Sequence, residues 1–130
     1  MTFEDDLAFG QQTEKEVQSL IGGTLSGGRF SPYDLKIEIK QDRKFNETDN
    51  VAIEVSCKGK ASGVSTTESE YYLYKLDKIY YCNTERLKRF IREYVRNYPS
   101  SIVSGGDGNR ARMVLIPLTS FYLMFKELFK

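Results

Sequence analysis

Two stretches of this chain alternate apolar and polar residues at every second position, and they restrict the fold more than any other feature. In Tyr33-Asp34-Leu35-Lys36-Ile37-Glu38-Ile39-Lys40-Gln41-Asp42 the apolar residues fall at 35, 37 and 39. In Val51-Ala52-Ile53-Glu54-Val55-Ser56-Cys57-Lys58 they fall at 51, 53, 55 and 57. A period of two is that of a strand with one buried face. The polar segment 43–50 between the two strands predicts an antiparallel hairpin.

The remaining elements are read around that pair. A helix is expected over 6–21, with Val17, Leu20 and Ile21 as its apolar stripe and Gly22-Gly23 as its stop. Residues 24–32 read as a Gly/Ser-rich loop with room for one short strand. Ser65-Thr66-Thr67-Glu68 has the form of a capping box. It predicts a following aromatic helix containing Tyr71, Tyr72, Leu73, Tyr74 and Leu76. A short strand is expected at 78–82. Asn83 or Thr84 then caps a helix in which Leu87, Phe90, Ile91, Tyr94 and Val95 follow helical spacing. A loop over 98–111, a strand over 112–116 and a terminal helix over 118–129 complete the chain. The expected class is α/β: one domain with a central mixed sheet, an antiparallel hairpin in it, and flanking helices.

Composition narrows the chemistry. The 130 residues include no histidine and only two cysteines, Cys57 and Cys82, without CxxC spacing. The absence of histidine disfavours a zinc site and excludes Ser-His-Asp and Cys-His catalysis. Acid–base and metal chemistry must come from Asp, Glu, Lys and Tyr, which favours an oxygen-seeking cation such as magnesium or manganese. No apolar run approaches the ~18 residues of a membrane span. The acidic N-terminus resembles no secretory or transit signal. The expected location is therefore cytoplasmic, in its own cell or inside a host cell, with no membrane partner.

The net charge of +1 conceals an asymmetry. The charged residues of 1–34 are mostly acidic, whereas 75–112 carry Lys75, Lys78, Arg86, Lys88, Arg89, Arg92, Arg96, Arg110 and Arg112. A basic half permits a polyanionic partner. Arg89, Arg92 and Arg96 share one side of the third helix, where they could contact a nucleic-acid backbone or simply be solvated.

The hairpin concentrates the candidate chemistry. With odd-numbered apolar residues inward, Asp34, Lys36, Glu38, Lys40 and Asp42 share the other face with Glu54, Ser56 and Lys58. Directly paired residues have Cβ atoms about 4.5–5.5 Å apart, so Glu38 opposite Glu54 would bring two carboxylates together. A divalent cation between them removes the repulsion, and a nearby lysine can then orient a water. The alternative is a solvated strand face of weak Glu–Lys pairs.

Several short motifs surround these residues. Gly10-Gln11-Gln12-Thr13-Glu14-Lys15-Glu16-Val17 opens with Gly-x-x-x-Glu-x-Glu, Pro32-Tyr33-Asp34 is a Pro-Asp with one residue inserted, and Glu38-Ile39-Lys40 is a Glu-x-Lys. Ser62-Gly63-Val64-Ser65-Thr66-Thr67-Glu68 follows the second strand. Over residues 7–95 this layout resembles the PD-(D/E)xK nuclease superfamily, in particular archaeal-type Holliday junction resolvases and small phage-type nucleases. The resemblance implies a restriction-endonuclease-like fold and magnesium- or manganese-dependent hydrolysis of DNA, at branched or junction structures among others. It makes Glu14 a candidate metal-site acid. Two mappings are open: Asp34 with Glu38 and Lys40, Glu54 being an added ligand; or Glu38 across from Glu54, with Lys40 or Lys58 as the lysine. The implied metal set is Asp34, Glu38, Glu54 and Glu14, and the catalytic set Glu38, Lys40, Glu54 and Lys58.

Finally, Phe121, Tyr122, Leu123, Met124, Phe125, Leu128 and Phe129 make the terminal helix apolar nearly all round. Such a helix is buried in its own domain or against a second copy, so a homodimer is expected.

Overall fold

The computed structural model describes residues 3–26, 29–31, 35–105, 108 and 110–129, without the side chains of residues 3–9 and of Phe30. Asp34 lies outside the described residues. Helix α1 (Phe3–Ile21) leads into β1 (Thr24–Ser26), β2 (Arg29–Ser31), β3 (Leu35–Gln41), the one-turn α2 (Phe45–Thr48), β4 (Asn50–Cys57) and β5 (Lys60–Ala61). A 3-10 turn, Gly63–Ser65, precedes β6 (Tyr71–Lys75), β7 (Ile79–Asn83) and α3 (Thr84–Asn97). After a second 3-10 turn, Pro99–Ser101, come β8 (Ile102–Gly105), β9 (Ala111–Pro117), α4 (Leu118–Met124) and β10 (Lys126–Glu127).

The class is α/β, with parallel and antiparallel pairing in one sheet. That sheet runs β1-β2-β3-β6-β7-β10, and β3 lies parallel to β6. A second, antiparallel sheet runs β5-β4-β9-β8. The two period-two strands therefore form, but in different sheets, and the expected hairpin between them does not. The residues show why. The N–H of Ala52 on β4 donates to Asp42 Oδ2 at 3.1 Å, and its C=O accepts from the Tyr74 hydroxyl at 2.8 Å. Side chains of the first sheet thus satisfy backbone groups that a β3 ladder would otherwise have taken. Asp42 also accepts from the N–H of Lys44 at 2.9 Å, which turns the chain out of β3. Phe45 of α2 then anchors the crossing in the core.

The larger core lies where the second sheet, α3 and α4 meet the first sheet. It contains Val51, Ile53, Tyr72, Tyr74, Leu87, Ile91, Val114, Ile116, Phe121 and Phe125. The opposite face of the first sheet carries a smaller cluster of Val17, Ile37, Leu73 and Ile79. Helix α1 covers that face through Val17 and is tied to the end of β6 by Glu16 and Lys75, 2.8 Å apart.

Three further expectations are corrected. The aromatic segment after Ser65 is strand β6, not a helix. Tyr72 and Tyr74 point into the larger core while Leu73 points to the smaller one, and a strand buried on both faces has no period to display. Glu68 pairs with Lys36 at 3.6 Å, so it does not cap a helix. The loop expected at 98–111 contains β8, whose Ile102 and Val103 pair with Val114 and Met113. The terminal helix stops at Met124, because Phe125 turns extended and β10 pairs with β7. This lets Phe125 stack on Phe121 with ring centroids 4.2 Å apart. The cap of α3 is as expected: the Asn83 side chain accepts from the N–H of Arg86 at 3.1 Å.

Candidate functional site

Strand alternation divides β3. Ile37 turns toward α1, whereas Glu38 and Lys40 lie in register with Tyr72 and Tyr74 of β6 and share their side of the sheet. Lys40 Nζ stands 3.5 Å from Glu38 Oε1, with both side chains about two-fifths exposed. An ion pair of that exposure contributes little to stability by itself.

Glu54 reaches the same region from the second sheet. The ladder between β4 and β9 shifts register between Glu54 and Ser56, an irregularity of the kind that re-aims side chains. The following turn folds back on this point. Ser62 Oγ donates to Glu54 Oε2 at 2.8 Å, and the Ser62 N–H donates to the Val55 carbonyl at 3.1 Å. Gly63 has φ +57°, and a Cβ there would stand 2.3 Å from the Glu54 carbonyl oxygen. Only glycine fits so close to the strand in that conformation. Ser62 and Gly63 therefore fix both the carboxylate and the backbone of Glu54.

Tyr72 is in register with Glu38 on the neighbouring strand β6. Its side chain is fully buried, and its hydroxyl is a buried polar atom with no hydrogen-bond partner among the described residues. Burial pushes its pKa well above the ordinary tyrosine range, and the negative charges of Glu38 and then Glu54 push it further. The hydroxyl is thus a neutral phenol within the fields of both carboxylates. Tyr74, stacked on it at 5.7 Å, is raised first by burial, then by Tyr72, Asp42 and Glu54, and spends its proton on the Ala52 carbonyl.

The other sequence candidates fall elsewhere. Glu14 is exposed on α1, the helix that packs on the opposite sheet face. Among the described residues no three Asp, Glu or Cys side chains form a group that could hold a metal, so Glu14 is not gathered with Glu38 and Glu54. Lys58 lies in the exposed turn between β4 and β5 with φ +52°, its N–H donating to the Arg110 carbonyl. Four residues of strand beyond Glu54 amount to about 13 Å, and Lys40 is the lysine beside Glu38. Arg89, Arg92 and Arg96 are exposed on α3. Arg92 and Lys88 line a 210 Å³ hollow with Ser65 and Val64, so the basic helix abuts the turn that fixes Glu54. Lys88 itself donates to the Thr67 carbonyl at 2.8 Å.

Sequence reasoning missed Tyr72, Ser62 and Gly63 as parts of the site. Tyr72 was hidden by the expected helix. The Ser-Gly pair after β4 was the available signal, since a glycine beside a strand often marks close backbone approach. No helix among the described residues is long and apolar enough to cross a membrane. No protein-family model, no curated protein and no solved structure matches the chain.

Proposed function

We propose that the chain is a divalent-cation-dependent endonuclease that cleaves DNA phosphodiester bonds, branched or junction DNA among its substrates, on a restriction-endonuclease-like PD-(D/E)xK plan. What supports this reading is that Glu38 and Glu54, on strands of two different sheets, both act through their charge on one buried tyrosine, which is in register with Glu38, and that Lys40 stands 3.5 Å from Glu38. Two carboxylates offer only oxygen donors, which suits magnesium or manganese. Magnesium keeps several of its waters and takes only one or two carboxylates. Glu38 and Glu54 would hold the cation, and Asp34 is the acid that could complete the set. A cation held there supplies charge neutralisation at the phosphoryl oxygens and a more acidic bound water. Lys40 orients the attacking water or stabilises the charge developing on phosphorus. Arg89, Arg92 and Arg96 contact the backbone phosphates.

Glu38→Ala and Glu54→Ala are each expected to abolish magnesium-dependent cleavage of plasmid and four-way-junction DNA, with far-UV circular dichroism unchanged. Undiminished cleavage in both variants would sink the assignment. A second reading, a non-catalytic nucleic-acid-binding or assembly protein, is favoured by the lack of a three-acid group among the described residues. Calorimetry showing no binding at millimolar manganese, with DNA binding retained, would select it. The homodimer belongs to the same proposal. Leu123 of α4 is 85% exposed beside the half-exposed Tyr122, and a single monomer mass in light scattering at all concentrations would remove it.

A further inference from the structure

Tyr72 is in register with Glu38 across the parallel β3–β6 pair, is fully buried, and has a hydroxyl with no protein partner among the described residues. Its neighbour Tyr74 is equally enclosed, yet its hydroxyl is used by the Ala52 carbonyl. Unpartnered buried hydroxyls are rare, because removing one from water without a replacement bond is unfavourable. Retaining a tyrosine where phenylalanine would fill the same space therefore points to a partner that arrives from outside the chain. The groups around it decide what that partner is. Glu38 and Glu54 are acceptors only, and Lys40 pairs with Glu38, so the partner that suits both acids is a cation with its hydration shell.

We propose that Tyr72 is a positioning residue of this site, its hydroxyl hydrogen-bonding a water carried by the cation that Glu38 and Glu54 hold. This rests on the cation-binding reading of the site proposed above. A neutral phenol suits the task, since it engages that water without adding a third negative charge. Outer contacts of this kind typically change metal affinity about 10–100-fold.

The test compares Tyr72→Phe with Tyr74→Phe and the unsubstituted protein, titrating manganese alone by calorimetry and following thermal unfolding with and without it. Tyr72→Phe is expected to lower manganese affinity about tenfold while leaving the metal-free melting temperature unchanged or higher. Tyr74→Phe is expected to do the reverse: a lower melting temperature and unaltered affinity. Equal affinity in Tyr72→Phe and the unsubstituted protein would overturn the proposal and leave the cation site standing. A lower metal-free melting temperature, or loss of fold, in Tyr72→Phe would also overturn it, since the hydroxyl would then already serve the fold. No manganese binding by the unsubstituted protein would overturn the site reading and this inference together.

Discussion

On one face of the paired strands β3 and β6, Ile37 and Leu73 pack against Val17 of α1. On the other face of the same two strands, Glu38 and Lys40 stand beside Tyr72 and Tyr74, between the sheets. Apart from the Glu16–Lys75 pair at its edge, the first face is held mainly by apolar burial, which is non-directional and needs only volume and pattern. The second must satisfy each polar atom one at a time. Asp42 and Tyr74 do so through Ala52, and Glu54 does so through Ser62, but the Tyr72 hydroxyl has no such partner among the described residues. Local consistency holds on the dry face and breaks at one hydroxyl on the wet one. Such a break is where function is to be sought.

The comparison can be attacked from both sides. The largest effect is expected on the dry face: Leu73→Ala removes a 3%-exposed side chain and is expected to cost about 4 kcal/mol, measured by urea unfolding. Any manganese-induced rise in melting temperature should survive it. Next is Gly63→Ala, which adds left-handed strain and forces the Ser62–Gly63 turn away from Glu54. A destabilisation on the order of 3 kcal/mol should accompany lost manganese binding. If binding persisted, the turn would not be what fixes Glu54.

Asp42→Ala comes third. It leaves the N–H groups of Ala52 and Lys44 without their carboxylate partner, at about 2 kcal/mol. A change below about 0.5 kcal/mol, within the range of ordinary surface substitutions, would mean that side-chain bridging does not hold β4 to the first sheet. Smallest is Glu38→Gln in metal-free protein. It removes only an exposed pair with Lys40, and the stability change should stay within about 0.5 kcal/mol.

The same contrast explains what was legible in the sequence. The alternation at 35–39 and 51–57 located β3 and β4, and helical spacing located α3 through Leu87 and Ile91, because one-sided burial leaves a period. Strand β6 left none, since Tyr72, Leu73 and Tyr74 are buried on both sides. The partner of β4 was not legible either. Its choice of β9 over β3 depends on Asp42 and Tyr74 meeting Ala52, a contact with a sequence separation of 22 for the tyrosine. Glu38, Lys40 and Glu54 could be named from charge and spacing on the strands. Ser62 and Gly63 depend on how the turn after β5 folds back on β4, and Tyr72 on a strand that left no period.

The central claim is that two acids from different sheets act as one cation site. Its most direct test is the manganese-induced shift in melting temperature for the unsubstituted protein, Glu38→Gln, Glu54→Gln and the double variant. Ligand bound only to the folded state raises stability with concentration over Kd, and groups acting as one site are non-additive. The expected result is a clear shift in the unsubstituted protein, lost almost wholly in either single variant and no further in the double. Shifts that persist in both single variants, or no shift in the unsubstituted protein at millimolar manganese, would contradict the account.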